Sequence, residues 1–264
     1  MVRFKTSFYR KYIEPYRLEL SNIECAYLAG IVDADGSISV SRITSGRRYP
    51  TYRVVVEVCN QSKELIEWLR SKFPKYNLRM TRRGVYIFTI YHIGLLWHLL
   101  PKLTARLVLK QRQGELALRA LELKYKYWRT TSKRYYEEMN QIHLEVSRLN
   151  RGERLIAERL ENTHYDDAPE EELYAYLAGV LDGDGAVSIN KHGRVTIHLS
   201  TVSKGYALWL RDRIDESEVY YLESTGVWTV VLTHEYLALE LLEKLSPYII
   251  VKRKRIETIL DRFT

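Results

Sequence analysis

At 264 residues, with no run of about 18 apolar residues and no apolar core behind Met1 to Arg10, the sequence excludes a helical membrane span and predicts an intracellular protein. Its 41 Lys and Arg against 33 Asp and Glu leave a formal charge of +8, which favours a polyanionic partner such as nucleic acid. Two cysteines, Cys25 and Cys59, are too few for a disulfide framework or a thiolate metal site, and both sit among apolar neighbours as reduced core thiols.

In chain order the first legible element is a helix, AYLAGIVDADG over residues 26–36. An alternating run from Ser37 to Ser41 follows, with the period of a half-buried strand. A second strand, Tyr52 to Val58, leads through Asn60 into a helix from Lys63 to Lys72. A hairpin comes next, near Leu78 to Thr81 and Val85 to Ile90, and helices close the unit. Residues 114–169 read as a helical linker, in which Leu116, Leu118, Leu121 and Leu123 give way to a charged, Tyr-rich stretch. At its end Asp167-Ala168-Pro169-Glu170 predicts a helix start, with a capping carboxylate and proline in the first turn.

The same order then returns. AYLAGVLDGDG occupies residues 175–185 and leads into strands Ala186 to Asn190 and Val195 to Leu199. A helix from Lys204 to Ile214 follows, then a hairpin near Val219 to Leu222 and Val227 to Leu232, then helices. Eight of the eleven motif positions are identical, and Leu109-Lys110-Gln111-Arg112 is matched by Val251-Lys252-Arg253-Lys254. The expected fold class is α+β, built from two α-β-β-α-β-β-α half-domains.

Small residues recur four apart in each motif helix, Ala26 with Gly30 and Ala175 with Gly179, which lets two helix backbones approach closely. Packed about a pseudo-twofold axis through these helices, the copies bring Asp35 and Asp184 together at two helix C-termini. Those ends carry unpaired carbonyls and partial negative charge. A hard divalent cation fits such a place. Mg²⁺ is the expected cofactor, with Mn²⁺ or Ca²⁺ also accepted, and the backbone carbonyls of Ala34 and Gly183 could join the ligand set. An EF-hand loop is disfavoured, because the position that needs a bidentate Glu is Thr44 in one copy and Gly193 in the other.

The sequences LAGIVDADG and LAGVLDGDG resemble the signature of the LAGLIDADG homing endonucleases, and the likeness covers residues 20–112 and 170–262. The chain is similar to the single-chain branch of that family. The resemblance implies a saddle of two four-stranded antiparallel sheets over double-stranded DNA, with residues 1–113 as the first half-domain, 114–169 as linker and 170–264 as the second. It also implies a monomer that cleaves both strands of a long asymmetric site across the minor groove and leaves short 3′ overhangs. On this likeness the last acidic residue of each motif, Asp35 and Asp184, is the metal ligand, while Asp33 and Asp182 are structural. A polar side chain at the end of the second strand falls at Asn60 and Thr201, and a lysine before the last helix falls at Lys110 and Lys252. Lysine suits the chemistry, because a cation beside the scissile phosphate stabilises developing negative charge. Thr201 departs from the family's usual amide, which predicts unequal nicking of the two strands. The alternative is an RNA maturase, with intron RNA as partner, or a non-cutting DNA-binding protein on the same fold. Retention of both aspartates favours catalysis.

With DNA implied by the resemblance, alternate strand residues become candidate groove contacts. In the first copy Ile38 and Val40 face inward, leaving Ser39, Ser41, Arg53 and Glu57 outward. In the second, Val187, Ile189, Val195 and Ile197 face inward, leaving Ser188, Asn190, Arg194, Thr196 and His198. Arg79, Arg82, Arg83 and Arg194 are the candidate phosphate or guanine contacts. His92, His98 and His234 read as packed core residues.

Overall fold

The computed structural model describes residues 7–44, 49–128, 132–152, 160, 162, 164–190 and 193–263. After a π-helical turn at Tyr9–Ile13, the α-helices are α1 (Asn22–Asp35), α2 (Lys63–Lys72), α3 (Ile93–Arg106), α4 (Gln111–Lys126), α5 (Lys133–Asn150), α6 (His164–Asp167), α7 (Glu170–Asp184), α8 (Lys204–Arg211), α9 (Glu235–Leu245) and α10 (Arg253–Phe263). The strands are β1 (Gly36–Ile43), β2 (Thr51–Asn60), β3 (Asn77–Met80), β4 (Tyr86–Ile90), β5 (Gly185–Ile189), β6 (Val195–Thr201), β7 (Glu218–Leu222) and β8 (Val227–Leu232). Each copy therefore has the expected strand and helix order, and no helix among the described residues is long and apolar enough to cross a membrane.

Packing divides the chain into two compact units. The first holds residues 1–20, 36–105 and 110–153, the second 21–35, 106–109 and 154–264. The motif helix of the first copy, α1, thus packs with the second unit, where it lies along α7.

The first unit is built on an antiparallel sheet in the order β1-β2-β4-β3. Alternation decides its faces: Ile38, Val40, Val54, Val56 and Val58 are buried, while the intervening positions are more open. Helix α2 starts on a serine cap, with Ser62 Oγ accepting from the Leu65 amide at 3.2 Å. Helix α4 packs on β1 and β2, burying Leu116, Ala117, Ala120 and Leu121. It begins ahead of residue 114, so the segment without likeness in the second copy contributes to this core. Helix α5 lies against β1, an edge strand, and occupies its outward carbonyls: His143 Nδ1 bonds the Val40 oxygen at 2.6 Å and Asn150 Nδ2 donates to the Ile38 oxygen at 2.8 Å.

The second unit repeats the sheet in the order β5-β6-β8-β7, and α8 and α9 pack on it. Helix α8 starts on Ser203, whose Oγ accepts from the Tyr206 amide at 3.3 Å, the counterpart of Ser62. Ser21 and Glu24 form a reciprocal cap ahead of α1, with Ser21 Oγ accepting from the Glu24 amide and a Glu24 oxygen from the Ser21 amide. Helix α7 starts differently from expectation. Pro169 precedes it without a side-chain cap, because Asp167 is already used in the separate turn α6. His234 is also not a core residue. It is exposed and caps α9, its Nδ1 accepting from the Leu237 amide.

Candidate active site and nucleic-acid interface

The site is founded on two glycines. A Cβ added to Gly30 would stand 2.1 Å from the Tyr176 oxygen and 2.9 Å from the Val180 nitrogen. One added to Gly179 would stand 2.2 Å from the Tyr27 oxygen and 2.9 Å from the Ile31 nitrogen. The two backbones touch along this seam, and no other residue fits either place.

Beyond the glycines, each helix serves its neighbour. The Tyr27 hydroxyl donates to Asp182 Oδ2 and the Tyr176 hydroxyl to Asp33 Oδ2, both at 2.8 Å. Both aspartates are 1% exposed. Asp33 Oδ2 also accepts the amides of Val108 and Leu109, at 2.7 and 3.1 Å. Asp182 accepts those of Ile250, Val251 and Lys252, at 2.7 to 2.9 Å. Buried carboxylates held by several N–H donors are strong, charge-assisted fixtures. Here they pin the two chain segments that run into Lys110 and Lys252. Asp33 and Asp182 are therefore structural, as expected. Burial, then the neighbouring aspartate, pushes the Tyr27 and Tyr176 hydroxyls well above the usual tyrosine range.

Segment 106–109 is braced further. Arg106 pairs with buried Glu172 at 2.8 Å, His164 Nε2 bonds the same Glu172 oxygen at 2.8 Å, and Asn162 Nδ2 donates to the Leu107 oxygen at 2.6 Å. Sequence reasoning missed the tyrosines and this ion pair. The tyrosines left a signal, an Ala-Tyr dipeptide opening each motif; Arg106, which belongs to neither motif nor to the Leu109–Arg112 match, left none.

Asp35 and Asp184 end α1 and α7. Asp35 is half-buried and Asp184 exposed. A Cβ at Gly183 would lie 2.5 Å from Ala34 Cβ and 3.6 Å from Asp35 Oδ2, so both helix ends and one aspartate meet at this spot. Lys252 donates from Nζ to the Asp182 oxygen at 2.7 Å. Burial lowers its pKa, and the charges of Asp182, Asp35 and Asp184 oppose that. Both predicted metal ligands thus act on one ammonium. Among the described residues no group of three or more His, Cys, Asp or Glu side chains is placed to hold a metal. The donors at the helix ends are two carboxylates and backbone carbonyls, an all-oxygen set that fits a hard divalent cation retaining water.

The remaining predicted residues stand as follows. Thr201 is buried in the second unit, and its Oγ1 accepts from the Ser203 amide at 3.2 Å. Asn60, in the first unit, is half-buried, and its Oδ1 accepts from the Ser62 amide at 2.8 Å. Both therefore shape the turn between strand and helix. Lys110 is buried in the first unit, immediately before α4.

Register places Ser39, Ser41, Arg53, Glu57 and Arg79 on one face of the first sheet, opposite Ile38 and Val40. Glu57 accepts from the Thr89 hydroxyl at 2.9 Å. Arg82 and Arg83 are exposed at the tip of the β3–β4 hairpin, where Gly84 takes φ +77°. In the second sheet Ser188, Thr196 and His198 share one face. Thr196 is only 7% exposed, because Ser188 and His198 both close on its Oγ1, at 2.8 and 3.3 Å. Asn190 and Arg194 close the β5–β6 turn, with the Arg194 amide donating to Asn190 Oδ1 at 3.1 Å, and both are exposed. Ile189, expected inside, is half-buried at the strand end.

No protein-family model matches this sequence, and no curated protein sequence matches it. Solved structures do match the fold. The LAGLIDADG meganuclease I-AabMI bound to uncleaved DNA is 16% identical with a TM-score of 0.66, over 90% of this chain and 91% of that one. I-SmaMI bound to an uncleaved DNA target in the presence of calcium ions is 15% identical with a TM-score of 0.69, over 92% and 90%. The I-LtrWI LAGLIDADG homing endonuclease bound to target DNA is 16% identical with a TM-score of 0.64, over 91% and 91%. The chain has their fold, two four-stranded antiparallel sheets with their helices, over nearly its whole length.

Proposed function

We propose that this chain is a single-chain LAGLIDADG homing endonuclease that hydrolyses both strands of a long asymmetric DNA site and leaves short 3′ overhangs. The observation that carries the reading is the placement of Asp35 and Asp184. They end two helices in backbone contact, and a Cβ on Gly183, beside Asp184, would stand 3.6 Å from Asp35 Oδ2. Structural similarity to DNA-bound endonucleases over about 90% of the chain supports it.

In this reading Asp35 and Asp184, with the carbonyls of Ala34 and Gly183, hold Mg²⁺, and Mn²⁺ or Ca²⁺ can take its place. A divalent cation there supplies Lewis acidity at the scissile phosphate and lowers the pKa of an attacking water. The protein's own part is to orient and to balance charge. Lys252 and Lys110 stabilise negative charge that develops on the phosphate. The Asn60 amide and the Thr201 hydroxyl order water, and their different chemistry makes the two strands react at unequal rates. Ser39, Ser41, Arg53, Glu57, Ser188, Asn190, Arg194, Thr196 and His198 read base edges in the major groove, while Arg79, Arg82 and Arg83 take phosphates or guanines. One chain carries both half-sites, so it acts as a monomer, with residues 114–169 joining the halves.

The test is incubation of the purified protein with a randomised duplex library and Mg²⁺, followed by sequencing of the cut ends. A single long cleaved consensus with 3′ overhangs is expected. Cutting that persists in both Asp35→Asn and Asp184→Asn proteins would overturn the assignment.

A further inference from the structure

The first unit contains a pocket of about 410 Å³, and Arg53 is the one lining residue that the cleavage reading uses. It opens where β2 loses a neighbour. Strand β4 pairs with β2 only from Val56 to Asn60, and Thr51 to Val54 line the pocket beside Tyr91, which follows β4. Its volume is that of a small-molecule site, which commonly runs from about 300 to 1,000 Å³.

Its lining is aromatic and cationic. Tyr52, Tyr91 and Trp128 contribute rings, backed by Phe8 and Tyr12, whose ring centroids lie 4.7 and 4.9 Å from that of Trp128. The two full charges are Arg53 and Lys124, and no lining residue is acidic. The Arg53 guanidinium lies 5.5 Å from the Tyr91 ring centroid. Lys124 is half-buried, and burial, then the charge of Arg53, lowers its pKa.

The contrast with α4's other cations is informative. Arg112 pairs with Glu115 and Glu145, and Arg119 with Glu138. Lys124, on the same helix, faces a like charge and no carboxylate among the described residues. Arg53 is exposed and Lys124 partly desolvated, and a half-buried cation beside a like charge is costly unless an anion completes it. Rings beside such a pair suit a planar π-system, because stacking on aromatics and phosphate on cations is how unpaired nucleotides are held.

We propose that this pocket binds one nucleotide, its base stacked against Tyr52, Tyr91 and Trp128 and its phosphate between Arg53 and Lys124. The nucleotide is either free or an unpaired residue of a nucleic-acid strand. The site is independent of Asp35 and Asp184.

Titration of the full chain without divalent metal tests it, with adenosine monophosphate, adenosine, inorganic phosphate and a short single-stranded oligonucleotide as probes, read by calorimetry and tryptophan fluorescence. The monophosphate or the oligonucleotide binds, and adenosine and phosphate bind at least about tenfold more weakly, each tenfold step being about 1.4 kcal/mol. Binding of the monophosphate marks a free nucleotide as a ligand; binding of the oligonucleotide alone marks a strand. Lys124→Gln and Trp128→Leu each weaken binding about tenfold or more, Lys124→Arg retains it, and all three fold cooperatively and keep the duplex cleavage of the unaltered chain. Absence of binding by both nucleotide probes overturns the proposal, as does phosphate binding as tightly as the monophosphate, or equal binding by the Gln and Leu variants and the unaltered chain.

Discussion

Tyr27 and Asp182, one from each motif helix, are joined by a 2.8 Å hydrogen bond, and Tyr176 and Asp33 repeat it in the opposite direction. Each hydroxyl is one of several donors on its aspartate, so Tyr27→Phe or Tyr176→Phe should cost about 1.5–3 kcal/mol, the range for a hydrogen bond to a charged group. Asp33→Ala should cost more, because it strands the amides of Val108 and Leu109 in the interior. Urea denaturation of the three variants gives the order directly.

The same tyrosines set the alkaline limit of the fold. Tyr27, Tyr165, Tyr176 and Tyr206 are all raised well above 10.0 by burial first. A folded-state pKa above the unfolded value gives stability that is complete below pH 10.0 and is lost as pH rises beyond it. Far-ultraviolet ellipticity should collapse cooperatively above about pH 10, the ordinary tyrosine value, and a Tyr27→Phe/Tyr176→Phe double variant should show a shallower dependence.

Gly30→Ala or Gly179→Ala must push two backbones apart, since the new methyl would sit 2.1 or 2.2 Å from a carbonyl oxygen. Each should cost more than about 3 kcal/mol or abolish soluble expression, well beyond the usual effect of a core change. Thermal unfolding separates them from Gly226→Ala, which meets only the far Tyr221 hydroxyl at 4.0 Å and carries only the strain of a left-handed φ of +68°, about 1–2 kcal/mol.

Lys252→Ala should lower the rate of strand cleavage at saturating DNA by about 10²-fold or more, the scale for loss of one preorganised charge-stabilising group, while the Kd for DNA changes little. Arg82→Ala and Arg83→Ala should do the reverse. Binding weakens and the slope of log Kd against log salt falls by about 1 for each, with the single-turnover rate kept.

Lys124→Met should raise the Tm. The folded-state pKa of Lys124 lies below its ordinary 10.5, so its cost to the fold is fully present at neutral pH and fades as pH rises toward 10.5. A gain of about 2–4 °C at pH 7 corresponds to roughly 1 kcal/mol in a chain this size, and melts at pH 7 and pH 10 should show it shrinking.

The sheets were legible because alternation at Ile38 and Val40, or Val195 and Ile197, needs only local pattern. The helix seam was legible because small residues four apart mark close approach, and Asp33 and Asp182 separated from Asp35 and Asp184 by motif position. Thr196 was read as open because alternation assigns a face and says nothing of how neighbouring side chains close over it. The partners of Asp33, from Val108 to Tyr176, lie 75 and 143 residues away in sequence and belong to no local period. The assignment of residues 106–109 to the second unit was likewise invisible, since repeats divide a chain by likeness while packing divides it by contact.

Helix α5 has no equivalent in the second copy, and its His143 and Asn150 occupy the outer carbonyls of β1. An unguarded edge strand is a template for pairing with another molecule. The insert between the copies thus covers that edge: with α5 trimmed out, β1 should be open to pairing with another copy of the chain, which light scattering of the shortened protein would register as growth in mass.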